Sequence, residues 1–127
     1  MKKFGICLFV ILMASVVCAT WEPVNRIESK DSLNATYSYT NNAVGAQRIM
    51  SILSKYVSAA SGTQTISITP KNGKEVLIKS STISSVTNHV IGALEFSGFY
   101  LYTGDILTID NDTGVTNDLS IVLDGHR

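Results

Sequence analysis

"TISITPKNGKEVLIKS", residues 65–80, decides the class of fold. Ile66 and Ile68 alternate with Thr65, Ser67 and Thr69 before the break, and Val76 and Ile78 alternate with Leu77 and Lys79 after it. A period of two is the mark of a half-buried strand, and Pro70 with Asn72-Gly73 supplies turn chemistry between the two runs. The stretch therefore reads as a β-hairpin. Register selects its loop: a two-residue Asn72-Gly73 turn would set Ile66 against Lys79 and place a charge in the apolar row. A three-residue loop, Lys71-Asn72-Gly73, instead sets Ile68 against Val76 and Ile66 against Ile78, with Thr69/Glu75 and Thr65/Lys79 on the other face. That loop predicts a left-handed Gly73.

"YLYTGDILTID", residues 100–110, follows the same logic. With Thr103-Gly104-Asp105 as its loop, Leu101 opposes Leu107 and Phe99 opposes Ile109 on a core-facing side. Tyr102 and Tyr100 then face outward with Ile106 and Thr108. The stretch is a hairpin or a sheet-changing corner, and Asp105 is expected to cap its turn.

Further strands are expected near residues 24–29, 34–40, 83–91 and 118–123. Segment 46–57, "AQRIMSILSKYV", fits two patterns. Ile49, Ile52, Leu53 and Tyr56 lie at helical spacing, whereas Ile49, Leu53 and Val57 alternating with Met50, Ile52 and Tyr56 suit a central strand covered on both faces. We read it as strand, with helix as the alternative. The expected fold is all-β: an antiparallel β-sandwich, jelly-roll-like, of about eight short strands.

The N-terminus, "MKKFGICLFVILMASVVCAT", has a basic start at Lys2 and Lys3, an apolar run from Phe4 to Val17 and a small-residue exit at Ala19. This is the plan of a secretory signal peptide, residues 1–19, removed to leave a single domain over 20–127. The apolar run is shorter than the roughly 20 residues of a membrane-spanning helix, so no stable membrane span is expected after cleavage. Cys7 and Cys18 are the only cysteines and leave with the signal, so the mature chain has to stand on its core rather than on disulfides. Export to the periplasm or the outside follows. Ten basic residues balance ten acidic ones, and losing Lys2 and Lys3 leaves a slight acidic excess. Nucleic acid is therefore not an expected partner.

Catalytic motifs are absent from the sequence. His89 and His126 are the only histidines, and no G-x-S-x-G elbow accompanies the many serines. No cofactor is implied. The oxygen-rich run "DNDTG" from Asp110, followed by Asn117-Asp118, clusters hard ligands, so Asp110, Asp112 and Asp118 form a weak calcium alternative. The run departs from the calcium-loop pattern, and the same residue types serve β-turns. "NAT" at Asn34 and "NDT" at Asn111 match the glycosylation acceptor, a match without weight in a chain so rich in Asn, Ser and Thr. Aromatic residues are the better candidates: Trp21, the pair Tyr37 and Tyr39, and the pair Tyr100 and Tyr102 can present a face to a ligand or a partner.

The phrases "YSYTNNAVGAQRIMSILSKYVSAASGTQTISITPKNGKEVLI", "YLYTGDILTIDND" and "LSIVLDGHR" resemble small jelly-roll or β-sandwich domains of tailed-bacteriophage structural proteins. The resemblance spans most of residues 37–127 and implies a virion-type structural or attachment part, often oligomeric, with no catalytic residues. The sequence thus points to an exported, non-catalytic structural or interaction domain that self-assembles or binds a protein partner. A secreted carbohydrate-binding module using a tyrosine face is the alternative.

Overall fold

The computed structural model describes residues 23–126. The candidate signal peptide, residues 1–19, and Trp21 lie outside the described residues. Seven strands follow one another: β1 (Pro23–Leu33), β2 (Tyr37–Thr40), β3 (Gln47–Thr69), β4 (Val76–Gly92), β5 (Tyr100–Leu101), β6 (Ile106–Asp112) and β7 (Asn117–His126). Among the described residues the one helical element is a 3-10 turn, Ala93–Phe96, between β4 and β5. The all-β expectation holds, and segment 46–57 is strand.

Every pairing is antiparallel, in the order β1-β7-β3-β6-β2. Residues 47–56 of β3 pair with β7, residues 63–69 pair with β6, and β4 runs along the opposite edge of β3 through both halves. The long β3–β4 hairpin is therefore shared by two four-stranded faces, β1-β7-β3-β4 and β2-β6-β3-β4, and its bend turns one curled sheet into a sandwich. About eight short strands were expected, and two of the seven observed are instead 23 and 17 residues long.

The bend lies where the register shifts between Lys55 and Gly62. Gly62 has φ 150°, and a Cβ there would stand 2.0 Å from the carbonyl oxygen of Asp112. Only glycine lets β3 pass this close to β6. Opposite, Ser85 of β4 takes φ 50°, and its N–H donates to the Ser61 hydroxyl at 2.9 Å. The small Ser58–Gly62 run thus bends the strand without ending it.

The core fills the space between the two faces. Ile49 and Ile52 of β3 and Leu119, Ile121 and Leu123 of β7 meet Ile66 and Ile68 of β3 and Leu107 and Ile109 of β6, with Phe96 and Leu101 closing one side. A smaller cluster of Tyr56, Ala60 and Ile83 packs at the bend. At roughly 25 cal/mol per Å² of buried apolar surface, each fully buried Ile or Leu stabilises the fold by about 1.5–3 kcal/mol.

Both turns depart from their expected form. The β3–β4 connection runs from Pro70 to Glu75, and the Gly73 N–H donates to the Pro70 carbonyl at 3.0 Å. Gly73 is then the fourth residue of a β-turn, a position that needs no positive φ, and it has none. Ile68 pairs with Val76 as expected, but Ser67 then meets Leu77 and Ile66 meets Lys79, which leaves Ile78 as a bulge. The bulge keeps Ile78 against the core and lets Lys79 reach Glu95 at 2.8 Å.

Residues 100–110 form the corner rather than a hairpin. β5 pairs with Gln47 and Arg48 at the start of β3, whereas β6 pairs with its far end, so the turn carries the chain from one face to the other. Leu101, Leu107 and Ile109 are buried as expected, and Phe99 is 39% exposed because it precedes the paired residues of β5. Asp105 caps the corner: its carboxylate accepts from the N–H groups of Tyr102 at 2.9 Å and Lys71 at 3.0 Å. Gly104, at φ 91°, donates its N–H to the Asn41 carbonyl at 2.7 Å.

Candidate functional site

The two tyrosine pairs have the same spacing in sequence and different surroundings. Tyr37 and Tyr39 sit opposite Ile109 and Leu107, in the inward row of their face. Tyr39 is buried; its hydroxyl donates to Gln47 Oε1 at 2.9 Å, and the Arg26 guanidinium lies 5.5 Å above its ring. Tyr37 is half-buried and donates to Glu28 at 3.2 Å. Burial, then the Glu28 carboxylate, push its hydroxyl up to about 12. These rings close the gap between β1 and β2 and, with Arg26, Glu28 and Lys30, line an open groove of about 440 Å³ whose walls are mostly polar.

Tyr100 and Tyr102 are 44% and 62% exposed. With Phe99, Val76, Ile78 and Ile68 they line a groove of about 420 Å³ beside the start of β4. The corner fixed by Asp105 sets this position, because the turn that it caps begins at Tyr102. On its other side Tyr100 borders a smaller pit of about 150 Å³ with Ala46, Arg48 and Asp124. Arg48 pairs across the sheet with both Tyr100 of β5 and Asp124 of β7, so three side chains of different chemistry form one row over three adjacent strands. Arg48 donates to Asp124 at 3.0 Å.

No family model matches this chain. No curated protein matches it either. Among solved structures, the core of a Drosophila NLP, described as giving insight into pentamer formation and histone binding, is similar over 80% of this chain and 97% of its own, at 10% identity and TM-score 0.48. A structure of Bacillus endospore appendages, described as disulfide-linked pili, is similar over 84% and 88%, at 12% identity and TM-score 0.42. A family 32 carbohydrate-binding module of C. perfringens NanJ, in complex with galactose, is similar over 77% and 93%, at 13% identity and TM-score 0.38. Likeness at these identities concerns the fold alone.

The calcium alternative is not assembled. Asp110 and Asp112 lie on β6 beside Thr65 and Thr63 of β3, and Asp118 lies on β7 beside Lys55, on the other side of the bend. Asp110 accepts from the Thr36 hydroxyl at 2.7 Å and Asp118 from the Ser32 N–H at 3.0 Å. Among the described residues no three acidic, histidine or cysteine side chains gather as metal ligands do. Asn111 of the "NDT" match is buried and accepts from the Tyr56 hydroxyl at 2.8 Å, so it is a structural residue. His89 is half-buried on β4, and desolvation, then Lys79, push its imidazole below the usual range. Among the described residues no helix is long and apolar enough to cross a membrane.

Nothing in the sequence brought Arg48 and Asp124 together. They are 76 residues apart, and only the β3–β7 register makes them neighbours.

Proposed function

We propose that this chain is exported and works without catalysis, as a self-assembling structural subunit of coat or adhesion type. The observation that carries the reading is the outer edge of β4. Among the described residues β4 pairs only with β3, so the other side of this seventeen-residue strand offers its row of backbone N–H and C=O groups along a free edge. Val76, Leu77 and Val90 on it are 50%, 61% and 62% exposed, and its one permanent charge, Lys79, is engaged with Glu95. Monomeric proteins commonly blunt such an edge with several charges or prolines. A second β-strand is the occupant whose chemistry matches a row of alternating donors and acceptors. The phrases that resemble phage structural domains agree with an assembling part, and the signal-like N-terminal segment, which such virion parts rarely carry, agrees with delivery outside the cytoplasm.

Light scattering of the chain from residue 20 to 127, across a concentration series, tests the reading. The apparent mass is expected to rise to that of a dimer or larger assembly. A mass that stays monomeric up to millimolar concentration would sink it.

A further inference from the structure

The row Tyr100–Arg48–Asp124 differs in chemistry from the free edge of β4, with Tyr100 alone bordering the groove that Val76 and Ile78 line at the start of that strand. Its three residues occupy paired positions on β5, β3 and β7, and neighbouring strands lie about 4.8 Å apart, so the row is roughly 10 Å long. An aromatic ring stands at one end, a guanidinium in the middle and a carboxylate at the other. The Arg48 and Asp124 side chains are 50% and 27% exposed, and the guanidinium is turned toward the carboxylate. Tyr100 is 44% exposed, and among the described residues no cation stacks on its ring.

We propose that this row is a saccharide-binding site for a neutral sugar. A pyranose ring has an apolar C–H face that stacks on an aromatic ring and an equatorial rim of hydroxyls, each both donor and acceptor. The rim needs donors and acceptors side by side, which the Arg48 guanidinium and the Asp124 carboxylate provide. The two charges cancel, so the site favours no ionic group. The pit of about 150 Å³ between Tyr100 and the ion pair takes the ring, and the groove along Phe99 and Tyr102 continues from it, so a chain of sugars can extend in that direction. An extended apolar peptide would use the groove and leave the ion pair without a role.

The ion pair is exposed, and pairs of this kind add little to stability, so its replacement reads binding rather than folding. The test is amide chemical-shift mapping of the isotopically labelled 20–127 chain with four neutral probes, the cello-, chito-, malto- and galacto-oligosaccharide tetramers. At least one probe is expected to move the amides of Arg48, Leu101 and Gly125 in a saturable way. Tyr100→Ala and Arg48→Met should each weaken that binding about tenfold or more, whereas Tyr100→Phe, which keeps the ring, should bind within about twofold of the parent. Unchanged thermal melting in Arg48→Met separates loss of binding from loss of fold. No shift with any probe at millimolar concentration overturns the proposal. So do undiminished binding in Tyr100→Ala and a site that answers only to an apolar peptide. Because Arg48 and Asp124 lie off β4, a chain that binds sugar but stays monomeric would sink assembly alone, and one that assembles but binds no sugar would sink this inference alone.

Discussion

Along the eleven residues of β1, Arg26, Glu28, Lys30 and Asp31 carry four charges; along the seventeen of β4, Lys79 and His89 are the only ionisable side chains. Both strands lie at an edge of the sheet. On β1, Arg26, Glu28 and Lys30 pair with Leu123, Ile121 and Leu119 of the core row, so the charges point inward, over the tyrosines of β2. Inward-pointing charge is a device that keeps another strand from docking, because docking would bury it. β4 has no equivalent. One edge is guarded and the other left bare, and the difference teaches where a partner is admitted.

The bare edge exists in its present form because β3 and β4 bend together. Gly62→Ala would force a Cβ into the Asp112 carbonyl, a backbone atom with no freedom to retreat. The expected loss is on the order of 3 kcal/mol, read as a drop in the denaturant midpoint. A near-neutral Gly62→Ala would show that the bend relaxes, and the two halves of β4 would then not be held on separate faces. Asp105→Ala comes next in size. It leaves the N–H groups of Tyr102 and Lys71 without their acceptor in a buried corner, a loss of about 2 kcal/mol. The same variant should loosen Tyr100 and Tyr102 beside β4, which proton-exchange rates at residues 100–104 would report.

Charges moved between the edges test the comparison directly. Leu77→Lys with Val90→Lys gives β4 edge charges on its exposed side, and since both positions are exposed the fold should change by no more than about 0.5 kcal/mol. Light scattering should then find the chain dispersed at concentrations where the parent associates. The converse, Glu28→Val with Lys30→Val, removes guards from β1 and is expected to raise the apparent mass further. Equal masses for all three proteins would mean that neither edge governs association.

Period-two alternation made the strands of residues 65–80 and 100–110 legible, and the acceptor geometry of an Asp after a Gly made the Asp105 cap legible. The sequence did not reveal which strand each one joins. A hairpin and a corner need the same Tyr102–Asp105 turn, and only the competition of β3 for β5 decides between them. The Ser58–Gly62 run has the composition of a loop, and it continues as strand because β4 pairs with β3 on both sides of it and with Ala60 and Gly62 within it. Tyr39 and Tyr102 occupy equivalent places in the alternation of their segments. One faces Leu107 in the core row and the other faces water, and local pattern does not carry that information. The Ile78 bulge brings Lys79 to Glu95, sixteen residues beyond that lysine, a partner that local alternation does not announce.

The smallest effect concerns the one group on β4 whose charge can change near neutrality. His89 lines a cleft with Lys79 and Glu95, groups that come from the other half of β4 and from the 3-10 turn. Desolvation, then Lys79, disfavour its protonated form, so its folded pKa lies below the unfolded value of about 6.5. The folded state therefore binds fewer protons than the unfolded one in the window between those two values. Stability is constant above about pH 6.5, falls as pH drops through the window, and levels off below the folded pKa. His89→Gln should remove this limb of the pH–stability profile and leave the neutral-pH midpoint almost unchanged. The parent should also show a matching change in association, because the added charge appears on the bare strand and lends β4 part of the guard that β1 always carries. A profile that is flat in the parent, or equally steep in His89→Gln, would place the acid sensitivity elsewhere in the chain.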